Sequence, residues 1–199
     1  MNFFTHIAIS RMLHENLNNI MDLDRKAFIY GNIKPDMTCR LLSKPHTLEN
    51  YFLTICNDAE KLMNNKLSIP EYSLKLGEIC HYVCDFFCQY HIDDELFHKF
   101  KEHFIYELRL HFELHKNSSK INIRPKSMTA KQNISSIIIE MRKEYSDQPI
   151  AMIKDLEYAF KAAMWISESI AYFSYNSLKQ LENQEVDASY LTLPVAGGQ

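Results

Sequence analysis

Apolar side chains at Phe4, Ile7, Ala8 and Met12 recur at the three- and four-residue spacing of one helical face, predicting a first helix over residues 3–19. The segment GNIKPDM, residues 31–37, interrupts this pattern. Pro35 disfavours helical geometry at Lys34, so the stretch reads as a loop. A helix from His46 to Asn64 is expected next, and Ser68-Ile69-Pro70-Glu71 opens another. Asp93-Asp94-Glu95 supplies the acidic first turn of a further helix running to His115. Residues 116–128, KNSSKINIRPKSM, are polar and basic and read as a loop. Two more helices are expected over 129–146 and 149–183, the last carrying Tyr158, Ala162, Trp165 and Ile166 as an apolar stripe. The final ASYLTLPVAGGQ changes character and reads as an extended tail. The pattern therefore predicts an all-α multi-helix bundle: one domain over 1–183 and a C-terminal tail over 184–199.

Composition narrows this reading without redirecting it. With 199 residues the chain buries a full core without staples, and 4 glycines and 6 prolines favour long helices over a many-stranded sheet. A formal charge of −3 with no basic block argues against stable nucleic-acid binding, which depends on phosphate neutralisation. Five cysteines, an odd number set in apolar segments, do not resemble a secreted disulfide framework. The opening MNFFTHIAISRMLHENL lacks a basic start, and His6 and Arg11 interrupt its apolar residues, so it reads as a helix and not a signal peptide. No apolar run is long enough to span a membrane. The expected location is the cytoplasm.

The chemistry is concentrated. All nine histidines lie between His6 and His115, and no histidine or cysteine occurs from residue 116 onward, so the last two helices are expected to be support. His81 and Asp85 are four residues apart on one helix face, and His103 and Glu107 repeat the spacing on the next helix. A lone pair of this kind is ordinarily an exposed helix-stabilising contact. Here Ile79, Tyr82, Val83, Phe86 and Phe87 surround His81 and Asp85, where an unpartnered carboxylate is costly. Two such pairs facing a common core make a cage for Zn²⁺. Cys80, Cys84 and Cys88 recur every fourth residue about 100° round the helix from the His81/Asp85 face. No second cysteine pair exists to close a thiolate site, so the thiols read as packing.

The ordered set His81-Tyr82-x-x-Asp85-x₅-His91 and His103-x-x-Tyr106-Glu107, preceded by His6, by Gly31-Asn32-Ile33-Lys34-Pro35-Asp36 and by His46, resembles the bacterial zinc-dependent phospholipase C family. That family shares its fold with the fungal single-strand-specific zinc nucleases. The resemblance covers residues 6–107 and implies a helical bundle with a cluster of two to three zinc ions between its helices. It implies that Asp36, His46, His81 and Asp85 bind one zinc, that Asp85 bridges to a second near His6 and the N-terminus, and that His91, His103 and Glu107 hold a third. The secreted members carry a processed N-terminal residue on one zinc and a proline between the bridging Asp and the next His. Here Phe86-Phe87-Cys88-Gln89-Tyr90 fills that gap. An unbroken helix would carry His91 about 15 Å along the axis from His81, so a break near Cys88–Gln89 is expected.

By the same resemblance, the chain is expected to be a zinc-dependent hydrolase of phosphate esters, phospholipase C-like, using a metal-activated hydroxide. Asp36 would be the residue that orients or deprotonates the attacking water. The expected partner is a small phosphate ester or a lipid, with peripheral membrane contact through Phe3, Phe4 and Tyr51. Three rivals stand beside this reading: a nuclease-like phosphodiesterase, a di-iron carboxylate oxidoreductase and a non-catalytic zinc scaffold. The di-iron reading draws on two Glu-x-x-His motifs, Glu78 to His81 and Glu95 to His98. It leaves His46, His91 and His103 without a role.

Overall fold

The computed structural model describes residues 1–38, 44–92, 94–118, 121 and 133–191, with side chains described as far as residue 177. Every regular element among them is a helix. In chain order these are α1 (Phe3–Leu17), α2 (Arg25–Thr38), α3 (Leu48–Asn64), α4 (Ile69–Asp85), a 3₁₀ turn (Gln89–His91), α5 (Asp94–Phe97), α6 (Phe100–Asn117), α7 (Ile134–Ser146) and α8 (Met152–Leu191). The all-α architecture matches the sequence pattern.

Helix starts are set by local chemistry. Asn2 caps α1 by accepting from the Thr5 N–H at 2.9 Å. Ser68 and Glu71 form a reciprocal capping box at the start of α4, with Pro70 in its first turn. Helices α4 and α8 form the centre. Leu76, Ile79, Cys80, Val83 and Cys84 of α4 are buried, as are Ala159, Ala162, Ala163 and Ile166 of α8. Packed around this pair, α2 lies along α4, while α3, α6, α7 and α1 contact α8. A helix buried on nearly all sides must partner any polar side chain it carries, which makes His81 and Asp85 informative.

Several local expectations are corrected. Residues 31–37 are not a loop, because α2 continues through Pro35 to Thr38. Phe28, Gly31, Asn32 and Pro35 are buried against α4, and that packing outweighs the backbone bond the proline forgoes. The helix expected from Asp93 to His115 is two helices, α5 and α6, broken at His98–Lys99. Helix α8 runs to Leu191, so the extended character expected from Ala188 is not found there, and 192–199 lie outside the described residues. Of the polar stretch 116–128, the first residues continue α6, Ile121 is buried, and the rest lies outside the described residues. The α4 break occurs directly after Asp85, three residues before the expected position.

The two last helices hold that break in place. Arg142 of α7 donates to the Phe86 carbonyl at 2.8 Å. Asp155 of α8, fully buried, accepts from the Gln89 N–H at 2.8 Å and from the Tyr106 and Tyr145 hydroxyls at 2.7 Å each. One carboxylate thus ties the 3₁₀ turn, α6 and α7 to α8. Asp155→Ala leaves one buried and two part-buried donors unpaired, and its expected effect is a loss of about 3 kcal/mol in urea unfolding.

Candidate metal centre

The site is built outward from the last turn of α4. His81 and Asp85 are fully buried there. His81 Nδ1 donates to the Asn32 carbonyl of α2 at 2.7 Å. A carbonyl only accepts, so the proton resides on Nδ1, and Nε2 of the neutral ring offers a lone pair. That Nε2 lies 3.0 Å from His46 Nδ1, 3.4 Å from Asp85 Oδ2 and 3.5 Å from Asp36 Oδ1. His46, just ahead of α3, has its Nδ1 3.1 Å from Asp85 Oδ2 and 4.0 Å from Asp36 Oδ1. Tyr51 and Tyr82 stack on each other with centroids 4.5 Å apart and pack edge-on against the His46 ring.

The other oxygen of Asp85 faces a different set of groups. Oδ1 lies 3.2 Å from His6 Nε2 and accepts from the α-amino group of Met1. The His6 ring stacks on His81 at 4.0 Å. The Met1 amino nitrogen is also 3.0 Å from His91 Nε2 and 3.1 Å from Glu107 Oε1, so it stands between two acids. His91 reaches this point because the chain turns after Asp85. Its Nε2 lies 3.1 Å from both Glu107 Oε1 and His103 Nε2. His103 Nδ1 donates to the Phe97 carbonyl at 3.0 Å, which turns the His103 Nε2 lone pair onto Glu107 Oε1 at 2.9 Å. Asn2 fixes α1 to this helix by donating to the Glu107 carbonyl at 2.8 Å.

Charge follows from these contacts. Burial alone would raise the Asp85 carboxyl, but His91, the Met1 ammonium and His6 hold it well below the usual carboxylate range. Burial also opposes ionisation of Glu107. The Met1 ammonium and the His103 and His91 hydrogen bonds outweigh it and hold that carboxyl well below its ordinary value. For Asp36 burial prevails and pushes the carboxyl up. Burial, with His6 alongside, pushes the His81 imidazole well below its ordinary value, and burial lowers His91 to about 4. Burial resists charge on the Met1 amine, yet Asp85 and Glu107 raise it well above its normal range. At neutral pH the ionised Asp85 and Glu107 carboxylates and the neutral His81 and His91 rings therefore converge on one buried volume.

Such a convergence suits a cation. A lone pair facing a carboxylate at hydrogen-bond distance has no proton to share, and the positively charged Met1 amine already sits among the acids. His6 Nδ1, His91 Nδ1 and the Asn32 side-chain amide are buried without a hydrogen-bond partner. Three groups of donors have ligand atoms within 4.8 Å of one another: His6 with His81 and Asp85, Asp36 with His46 and His81, and Cys88 with His91 and Glu107. Imidazole, carboxylate and thiolate are the ordinary zinc donors.

Each residue singled out in the sequence is brought to this volume. His6, Asp36, His46, His81, Asp85, His91, His103 and Glu107 all lie in a continuous chain of contacts centred on Asp85. The Glu-x-x-His motifs do not contribute as pairs. Glu78 is paired with Lys34 and Lys75, and Glu95 and His98 are exposed. His14 lies outside the cluster, buried with Nε2 3.3 Å from the Leu23 carbonyl. Cys88, read as packing, is buried in the core, and its Sγ also lies within 4.8 Å of the ligand atoms of His91 and Glu107. Cys80 and Cys84 do pack, against Ser167 and the Ala159 carbonyl. The only signal for Cys88 was its position three residues before His91.

Comparison with curated proteins and with solved structures returned no match. The family model for zinc-dependent phospholipase C matches residues 5–159, a span holding every side chain of the cluster. Its members are zinc-dependent phosphoester hydrolases, the chemistry for which this donor set is suited. The helical fold and the length of that match make the chain a member of the zinc-dependent phospholipase C family.

Proposed function

We propose that this chain hydrolyses the phosphodiester of a phospholipid head group, with two to three zinc ions held around Asp85. Asp36, His46 and His81 would hold one ion with Asp85 Oδ2, and His6 would join Asp85 Oδ1 on a second. His91, His103, Glu107 and Cys88 would hold the third. The observation that carries this reading is the split of Asp85: Oδ2 faces His46 and His81 while Oδ1 faces His6, as a bridging carboxylate requires. Zinc bound there supplies Lewis acidity and a nucleophile available at neutral pH.

The protein's own groups do the rest. His81 is held in one tautomer by the Asn32 carbonyl and His103 by the Phe97 carbonyl, so their Nε2 atoms are fixed toward the cluster. Asp36 has 28% of its side chain exposed, whereas Asp85 has none. Facing both the His46/His81 pair and solvent, Asp36 orients the attacking water and takes its proton.

Metal content and hydrolysis of a soluble chromogenic phosphodiester, measured on the same preparation, test this reading. Chelation is expected to abolish turnover and added zinc to restore it. Asp36→Asn is expected to lower kcat by about 10²-fold or more while most of the zinc is retained. A zinc-loaded protein that hydrolyses no phosphodiester would leave the scaffold reading in its place. The Cys88 assignment is checked separately by cobalt substitution. A thiolate-to-cobalt absorption band is expected in the near ultraviolet and should vanish in Cys88→Ser, with loss of a zinc–sulfur distance of about 2.3 Å.

A further inference from the structure

On the outer side of α6, beside the face that buries Leu110 and Leu114, the chain exposes a row of large apolar side chains. Phe100, Phe104, Leu108 and Phe112 are 69%, 67%, 43% and 63% exposed, and Phe4 of α1, 65% exposed, extends the row beside His111. Spaced four residues apart, they form a stripe that winds slowly round the helix. Contiguous exposed apolar surface of this kind marks an interaction site, since scattered single side chains would not line up.

The charges bordering the stripe say what it meets. At 100° per residue, the half of α6 from Phe100 round to Arg109 holds Lys101, Arg109, Lys116, His111 and His115 and no acid. Glu102 and Glu113 lie about 20° and 40° beyond Arg109, and Glu107 turns into the cluster. Aromatic side chains flanked by cations on one helical face are the pattern of a helix that lies in the surface of an anionic bilayer. No helix among the described residues is long and apolar enough to cross a membrane. Contact would therefore be peripheral.

We infer that the Phe100–Phe112 face of α6, with Phe4, seats the protein on an anionic phospholipid surface. The consequence for substrate access follows from the same helix. Glu107 is 60° round from Phe104, so seating the stripe in the headgroup layer brings the lipid phosphates to the edge of the cluster. As a statement about substrate this rests on the proposed phosphodiesterase function; as a statement about binding it does not. The expectation voiced for Phe3, Phe4 and Tyr51 is redirected by the structure: Tyr51 packs on Tyr82, Phe3 is half-buried, and only Phe4 joins the exposed surface.

Co-sedimentation of the full chain with vesicles tests the inference. Vesicles of equimolar phosphatidylcholine and phosphatidylglycerol are expected to carry the protein down, with binding weakened by added salt. Vesicles of phosphatidylcholine alone should carry down less. The double variant Phe104→Glu, Phe112→Glu is expected to bind at least about tenfold more weakly. Its thermal midpoint and its turnover of the soluble phosphodiester should be unchanged. Lys101→Glu with Lys116→Glu should remove the preference for the anionic vesicles. Failure to sediment with either vesicle overturns the inference, as does equal binding by the double variant. So does a concentration-dependent dimer in ultracentrifugation that the double variant disperses, which assigns the face to a second copy of the chain. Sedimentation without hydrolysis of any phosphodiester sinks the proposed activity and leaves the docking face standing.

Discussion

Replacing Asp85 with Asn is expected to remove about two metal ions from the purified protein and to lower phosphodiester turnover by on the order of 10³-fold or more. Both consequences come from one side chain. Oδ2 faces His46 and His81 while Oδ1 faces His6 and the Met1 amine, so one carboxylate meets donors on both sides. An amide keeps one accepting oxygen and puts a nitrogen that cannot coordinate where the second was. It also removes a negative charge from a volume in which His81 and His91 are neutral and the Met1 amine is charged. Breaking a buried ion pair by deleting one partner costs about 3–5 kcal/mol, so the metal-free variant should also be less stable than the metal-free parent. Metal analysis, circular dichroism and urea unfolding on the same sample separate the two effects. A folded variant that retains its full metal content removes Asp85 from the centre of the site.

The same reasoning shows what the sequence could and could not convey. His81/Asp85 and His103/Glu107 were legible because helical periodicity is local: four residues along the chain is one turn in space. The need for a break before His91 was also legible, from the length of helix that would otherwise separate it from His81. Its exact place was not. Phe86 and Phe87 are both fully buried, and the carbonyl and amide groups around them are tied to Arg142 and Asp155, more than fifty residues away. The closeness of Cys88 to His91 and Glu107 was hidden for a connected reason. The place of that residue in the Cys80, Cys84, Cys88 stripe assumed a helix that had already ended, and the 3₁₀ turn carries it toward His91. The partners that fix the tautomers, Asn32 and Phe97, act through backbone carbonyls, and no residue type announces such a role. The helix through Pro35 was concealed by a tertiary contact: local propensity argues against it, and only the closeness of α2 to α4 accounts for it.

That closeness depends on two glycines and yields the second large effect. Gly31→Ala is expected to destabilise the protein by about 3 kcal/mol, although Gly to Ala inside a helix ordinarily stabilises by about 1 kcal/mol. A Cβ on Gly31 would stand 2.1 Å from the Leu74 carbonyl oxygen and 3.1 Å from the Glu78 nitrogen, and both are helix backbone that cannot rotate aside. Gly77, on the facing helix, is in the same position: its Cβ would meet the Phe28 carbonyl oxygen at 2.3 Å. The helices would have to separate by roughly an ångström to restore ordinary contact, forfeiting dispersion along their whole interface. The separation also reaches the metal centre. Asn32 is the next residue, and its carbonyl holds His81 Nδ1 at 2.7 Å, while Asp36 lies one turn further on. Zinc affinity in Gly31→Ala is therefore expected to fall by about 10- to 100-fold, the usual cost of disturbing a ligand's hydrogen-bond partner. Urea unfolding of the metal-free protein and competitive zinc titration read the two effects independently. A gain of stability in the alanine variant would mean that α2 and α4 do not cross at the distance described, and Asp36 would then lose its place beside His81.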